Sequence, residues 1–192
     1  MQPLAQTSHY LIPVFWLAWL AIWIAASWGV KRTRTPEPLG DALVNRTPVL
    51  FGAAMLAAPG WLPDMLTQRF LWGPDGPAFG TLLVLAGLAF ALWARWHIGR
   101  NWSSTVAVKE SHTLITTGPY RWVRHPIYSG MVLALFGTAM AIGEARGFIG
   151  AGLVLLGFVI KLLGEEARMR DTFPAEYDAY CRRTARLLPG VF

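Results

Sequence analysis

One cysteine, Cys181, stands in the whole sequence. That excludes an intramolecular disulfide and any metal site built on several thiolates. Charge is scarce as well. Asp, Glu, Lys and Arg make up 15% of the chain, against about 25% in a soluble domain, and residues 1–30 carry none of them. No HExxH helix, Cys-rich ligand spacing or GxSxG elbow occurs, so the common local signatures of zinc peptidases and serine hydrolases are missing, and no metal site is expected. Gly150-Ala151-Gly152 followed by Gly157 resembles a nucleotide loop only superficially, because it lies inside an apolar run with no strand before it.

What the chain has in quantity belongs to a membrane. Its 192 residues are 54% hydrophobic, with ten Trp and thirteen Pro, and the mean hydropathy is positive. Indoles gather at bilayer interfaces, and membrane helices tolerate Pro better than soluble ones do. The net charge of +6 is scattered between apolar runs, which argues against a nucleic-acid face and for cations beside a membrane. The expected class is all-α: a polytopic integral membrane protein with about five transmembrane helices and a cytoplasmic C-terminal helical tail. Residues 1–192 read as one membrane domain, with a three-helix part (1–97) and a motif-bearing part (98–192).

The expected spans are Tyr10 to Val30, Pro48 to Leu66, Ala78 to Ile98, Pro126 to Ile142 and Gly147 to Leu163. A bilayer needs about 20 residues of helix. The first run lacks the basic start of a signal peptide, which favours a retained helix with its N-terminus outside. Residues 31–47 and 67–77 read as Pro- and Gly-bearing connections. Pro59, Gly60 and Pro63 should kink or unwind the second span. Only Gly143-Glu144-Ala145-Arg146 separates the last two spans, so they form a tight hairpin. Beyond it, Pro174 to Ala185 suggests a short helix resting Tyr177, Tyr180 and Leu187 on the membrane surface.

The basic residues orient these spans, because cytoplasmic loops are enriched in Lys and Arg. Fifteen of the seventeen fall in residues 31–46, 95–124 and 161–186, and the other two are Arg69 and Arg146. This count puts the loop after the third span and the C-terminal tail in the cytoplasm. The same loop carries His112, Gly118-Pro119, Tyr120, Arg121, Arg124 and His125, with Pro126 and Tyr128 just beyond, in an otherwise apolar setting. Concentrated titratable groups at a membrane edge mark a site. The hairpin brings Lys161, Glu165, Glu166, Arg168 and Arg170 beside Arg124, His125 and Tyr128. Arg124, His125 and Glu166 are the candidate catalytic groups, with His125 or Glu166 a base if the acceptor needs one.

Plainer readings exist for each of these residues. Pro126 is a common first-turn residue. Glu165 and Glu166 suit solvated pairing with Arg168 and Arg170 at helical spacing. Lys161 suits snorkelling to the interface, Tyr177 and Tyr180 suit an interfacial anchor, and His97 and His9 suit structural or incidental roles.

Read together, the residues become specific. The order Gly99-Arg100-Asn101-Trp102-Ser103, His112-x-Leu114-Ile115, Gly118-Pro119-Tyr120, Arg124-His125-Pro126-x-Tyr128-x-Gly130, Glu165-Glu166, Phe173-Pro174-x-Glu176-Tyr177-x-x-Tyr180 and Arg186-Leu187-Leu188-Pro189 resembles the isoprenylcysteine carboxyl methyltransferase family and its phospholipid methyltransferase relatives. The likeness covers roughly residues 98–190. It implies a small multi-spanning enzyme that moves a methyl group from S-adenosyl-L-methionine to a lipid or lipid-anchored acceptor. The resemblance assigns His112, Leu114 and Ile115 to the cofactor's nucleoside, and Tyr120, His125, Pro126, Ile127 and Tyr128 to further cofactor contacts. It assigns Glu165 to one of the cofactor's polar groups. Lys161 stands where eukaryotic members have an arginine thought to meet the substrate carboxylate, so the charge is kept and the bidentate fork is lost.

An isoprenylcysteine-like carboxylate is the preferred acceptor, with a phospholipid amine as the alternative. A sterol-type membrane reductase using a nicotinamide cofactor is similar in its C-terminal region but resembles longer chains, and a non-catalytic membrane module is the third reading. No obligate protein partner is implied. The bare termini suggest a prokaryotic plasma membrane, with the site facing the cytoplasm.

Overall fold

The computed structural model describes residues 2–28, 39–57, 59–70, 75–99 and 114–190. His112 and Arg100 to Ser103 lie outside them, as do residues 29–38 and 71–74 of the two earlier connections and the side chain of His9. Seven α-helices are described: α1 (Gln2–Ser27), α2 (Leu39–Ala57), α3 (Asp64–Thr67), α4 (Gly76–Ile98), α5 (Pro126–Ile142), α6 (Ala145–Thr172) and α7 (Pro174–Cys181). A single 3-10 turn, Pro59–Trp61, follows α2, and another, Gly118–Arg121, precedes α5. The protein is all-α, as expected.

Among the described residues three helices are long and apolar enough to cross a membrane, namely α1, α4 and α6, while α2 and α5 are shorter apolar helices. That is fewer than the about five transmembrane helices expected. At 1.5 Å per residue the 17 residues of α5 reach about 26 Å, a little short of a hydrocarbon core of about 30 Å. The second helix also begins nine residues before Pro48 and carries it inside, so residues 39–47 are helix, not connection. Pro48 removes one hydrogen-bond donor, and the chain absorbs that loss within an apolar helix.

The bundle is built on two antiparallel pairs, α4 with α5 and α2 with α6. Small residues make them possible. A Cβ on Gly87 would strike the Gly130 carbonyl and come within 2.6 Å of Ala134 N, and one on Gly130 would strike the Gly87 carbonyl. Gly80 and Gly137 repeat the relation one heptad away, and Gly52 faces Gly150 across the α2–α6 seam. In a lipid solvent apolar side chains gain little from leaving one apolar surface for another, so close backbone approach supplies the attraction. The glycines of the superficial nucleotide motif, Gly150 and Gly157, serve this packing against α2.

Helix α1 closes the α4–α5 pair with Ile12 and Trp19 buried against Val84, Leu88, Ala134 and Ala141. The Trp16 indole donates to Thr138 Oγ1 at 3.1 Å. A second apolar cluster, including Leu135, Val154 and Phe158, fills the α5–α6 seam. Gly143, in the left-handed region at φ +69°, ends α5 and makes the predicted hairpin, since only two residues separate it from α6. At this end Arg146 pairs with Glu144 and donates to the Met55 and Leu56 carbonyls, and the backbone of Arg69 forms an isolated antiparallel bridge with that of Glu144. The two basic residues that stood apart in the charge count therefore share one end of the bundle.

Candidate active site

The opposite end gathers the C-terminus of α4, the start of α5, the end of α6, and α7 with the segment after it. Pro126 begins α5, and its ring disfavours helical backbone in the residue before it. His125 accordingly sits outside the helix at φ −123° and ψ 60°, with its ring at the helix mouth. One turn on, Tyr128 lies on the same side of α5 and packs its ring 5.0 Å from Phe158 of α6.

Glu165 and Glu166 are neighbours in sequence but about 100° apart around α6, so they meet different surroundings. Glu166 continues the buried stripe of Phe158 and Leu162 and is 0% exposed. It receives Arg124 Nε on Oε1 at 2.8 Å and Arg186 Nε on Oε2 at 3.1 Å, with Arg170 Nη2 at 3.6 Å from Oε2. The surface reading of Glu166 is therefore overturned. A carboxylate this deep persists only because several guanidinium groups enclose it. Burial works against the charge on Arg124, but the hydrogen bond and charge of Glu166 outweigh that and raise its pKa.

Glu165 keeps 23% of its side chain exposed. Tyr128 donates its phenol to Oε1 at 2.9 Å. His125 stands between the two carboxylates, with Nδ1 3.7 Å from Glu165 Oε2 and Nε2 3.5 Å from Glu166 Oε1. Neither separation is a hydrogen bond, and Nε2 is buried with no hydrogen-bond partner among the described residues. Lys161, half-buried, lies one turn below Glu165 on the same face of α6.

The C-terminal segment covers this cluster. Tyr177 and Tyr180 are each 2% exposed and Leu187 is buried too, which corrects the expected membrane-surface anchor. They pack inward because α7 folds back on α6, and Tyr180 donates its hydroxyl to the Tyr120 carbonyl. Burial, first among the causes, raises the phenols of Tyr120, Tyr177 and Tyr180 above the ordinary value of 10.0. Beyond α7 the chain lies along the motif: Arg124 N donates to Ala185 O at 2.8 Å, His125 N to Arg186 O at 3.0 Å, and Ser129 Oγ to Leu187 O at 2.6 Å. Arg124 Nη1 also donates to the Thr184 carbonyl.

The segment before the motif rests on His97. Its Nε2 lies 2.9 Å from Thr117 Oγ1, its ring stacks on Tyr120 at 6.4 Å, and Gly118, at φ +59°, presses its backbone against the imidazole where any Cβ would collide. The structural reading of His97 stands, in the particular form of a support for Tyr120.

Arg124, His125, Tyr128, Glu165 and Glu166 are thus brought into one cluster, and Tyr120 is tied to it through Tyr180. Leu114 and Ile115 lead into the 3-10 turn and Ile127 opens α5, all half-buried, while Pro126 is buried. Arg186, Ser129 and the backbone of 184–187 were not anticipated as site groups. The early sign was that Arg186 lies in the Arg186-Leu187-Leu188-Pro189 motif.

The cluster suits a small polar cofactor held by the partly open carboxylate of Glu165 beside the aromatic ring of Tyr128. Glu165 retains lone pairs beyond the one Tyr128 occupies, so it can accept from ammonium or hydroxyl groups.

A family model described as phospholipid methyltransferase matches residues 77–176, from α4 to the first turn of α7. A probable protein-S-isoprenylcysteine O-methyltransferase of Oryza sativa subsp. indica is 31% identical over 58% of this chain and 60% of its own length. The protein-S-isoprenylcysteine O-methyltransferase of Rattus norvegicus is 33% identical over 59% of this chain and 41% of its own. The cobalt-zinc-cadmium resistance protein CzcN of Cupriavidus metallidurans is 30% identical over 68% of this chain and 59% of its own. The matched region thus spans between two-fifths and three-fifths of these relatives.

Proposed function

The chain belongs to the phospholipid methyltransferase family, and on that premise we propose that it transfers a methyl group from S-adenosyl-L-methionine to a lipid-borne or amphipathic acceptor. The preferred acceptor is the carboxylate of an isoprenylcysteine-like molecule. The observation that carries this reading is the asymmetric pair at the end of α6. Glu166 is enclosed, while Glu165 stays partly open and is aligned by Tyr128.

S-adenosyl-L-methionine, when bound, supplies an electrophilic methyl group on a sulfonium. Glu165 holds a polar group of the cofactor, and His112, Leu114, Ile115, Tyr120, Pro126, Ile127 and Tyr128 line the remainder. Tyrosine rings also favour a cation on their faces, by about 0.5 to 2 kcal/mol according to desolvation. Lys161, one turn deeper toward the apolar middle of the bundle, pairs with an anionic acceptor whose tail lies among the helices. A carboxylate is already ionised at neutral pH and needs no base. Orientation and exclusion of water then supply most of the rate. Arg124 and Glu166 act as a rigid backing for His125.

The family description favours one second reading, a phospholipid amine as acceptor. An amine must lose a proton, and His125, whose side chain keeps 11% of its surface exposed, is better disposed to take it than the fully buried Glu166. The site end faces the cytoplasm of a prokaryotic cell in this proposal, because Arg95, Arg124, Lys161, Arg170 and Arg186 cluster there, away from Arg69 and Arg146.

The test is calorimetric binding of S-adenosyl-L-methionine, S-adenosylhomocysteine and NADPH to the detergent-purified protein, followed by methyl transfer to carboxylate, amine and thiol acceptors. Saturable binding of the first two ligands is expected. Binding of NADPH alone would move the protein to the reductases.

A further inference from the structure

We propose that Arg186 is a positioning residue of this site: from the segment after α7 it closes the second half of a guanidinium clamp on Glu166, and through Glu166 it holds His125 against Glu165. The inference rests on the methyltransferase reading above. Glu166 has two oxygens and two close guanidinium donors, Arg124 on Oε1 at 2.8 Å and Arg186 on Oε2 at 3.1 Å. The first donor immediately precedes His125. The second comes from a stretch whose backbone accepts the amide protons of Arg124 and His125. The carboxylate is therefore gripped from both sides by the two strands it holds together.

His125 depends on that grip. Its Nε2 faces Glu166 Oε1 at 3.5 Å and its Nδ1 faces Glu165 Oε2 at 3.7 Å, so a rotation of Glu166 withdraws one of the two carboxylates that flank the imidazole. With Arg186 removed, the remaining cation near Oε2 is Arg170 at 3.6 Å, itself 44% exposed and shared with Asp178. A more exposed partner at 3.6 Å fixes a carboxylate less well than a half-buried donor at hydrogen-bond distance does. Arg186 Nε meets Glu166 Oε2 at 3.1 Å, and through that carboxylate its influence reaches His125.

The test uses the full chain in detergent. S-adenosylhomocysteine affinity and thermal unfolding are measured for the wild type, Arg186→Ala, Arg186→Gln and, as a control, the exposed Arg182→Ala. Loss of one hydrogen bond between charged groups predicts that Arg186→Ala weakens binding roughly tenfold or more. Arg186→Gln keeps an amide donor and lies between, added guanidinium ion restores part of the loss in Arg186→Ala, and Arg182→Ala matches the wild type. In methyl-transfer assays the cofactor KM rises while the acceptor KM holds. Wild-type affinity in both Arg186 variants overturns the inference, and so does failure of both to fold, because Arg186 would then serve the fold and not the site. A wild type that binds no S-adenosylhomocysteine overturns the methyltransferase reading itself, which separates the two failures.

Discussion

Tyr128 of α5 donates its hydroxyl to Glu165 Oε1 of α6 at 2.9 Å, and that single bond spans the seam on which the site is built. The two residues come from opposite sides of the hairpin turn. Their contact therefore reports whether α5 and α6 are in register.

Removing the phenol should loosen Glu165 without disturbing the bundle. Tyr128→Phe keeps the ring contact with Phe158, so its unfolding temperature should stay near that of the wild type while S-adenosylhomocysteine binding weakens by several-fold, the loss of one hydrogen bond to a charged group. Glu165→Ala should weaken binding further. Isothermal calorimetry checks both, and unchanged affinity in Glu165→Ala would remove this residue from the cofactor site.

Lys161 gives a different signature. Lys161→Ala should raise the acceptor KM at least tenfold and leave the cofactor KM near its original value, since it removes an interaction with one substrate only. Equal effects on both constants would remove Lys161 from the acceptor site.

The helix seams predict a contrast between two glycines. Gly87→Ala drives a methyl into the Gly130 carbonyl and Ala134 backbone, and overpacking of this kind destabilises by about 1 to 3 kcal/mol. Gly152→Ala meets nothing within 4 Å and should be neutral or stabilising by about 0.5 to 1 kcal/mol through helix propensity. Thermal unfolding in detergent distinguishes them.

The buried phenols predict alkaline sensitivity. Tyr120, Tyr177 and Tyr180 have folded pKa values raised above the ordinary 10.0, so the folded state holds their protons more tightly than the unfolded chain. Their stabilising contribution is fully present below pH 10 and is lost as pH climbs toward the raised values. Unfolding temperature followed against pH should fall above that point, and Tyr177→Phe should flatten part of the fall.

Much of the architecture was legible because apolar runs and their interruptions are local. The spans expected at Ala78 to Ile98 and Pro126 to Ile142 and the tight turn after the second follow from run length, Pro126 and Gly143, although the turn has two residues where four were expected. The start of α2 was hidden by Pro48, whose missing donor signals a break in water but is tolerated in an apolar bundle. The cluster of Arg124, His125, Tyr128 and Glu165 was readable from charge and from the hairpin together.

The depth of Glu166 was readable in principle. Phe158, Leu162 and Glu166 follow a four-residue stripe, and a carboxylate ending an apolar stripe demands buried cations. Which cations answer was beyond the sequence, because Arg186 meets Glu166 only after α7 reverses the chain. The same long-range fold takes Tyr177 and Tyr180 inward, where a short helix considered alone could equally lie on a bilayer.

The pairing of residues 184–187 with 123–125 also sets an order of assembly. Chains are made from the N-terminus, and early segments fold before later ones appear. The helices can enter the membrane while the amides of Arg124 and His125 still wait for their carbonyls. A ribosome stalled before Thr184, or a protease cutting just after α7, would leave an inserted bundle with an unfinished site. Under the proposed function, methyl transfer would then report that translation of that segment had been completed.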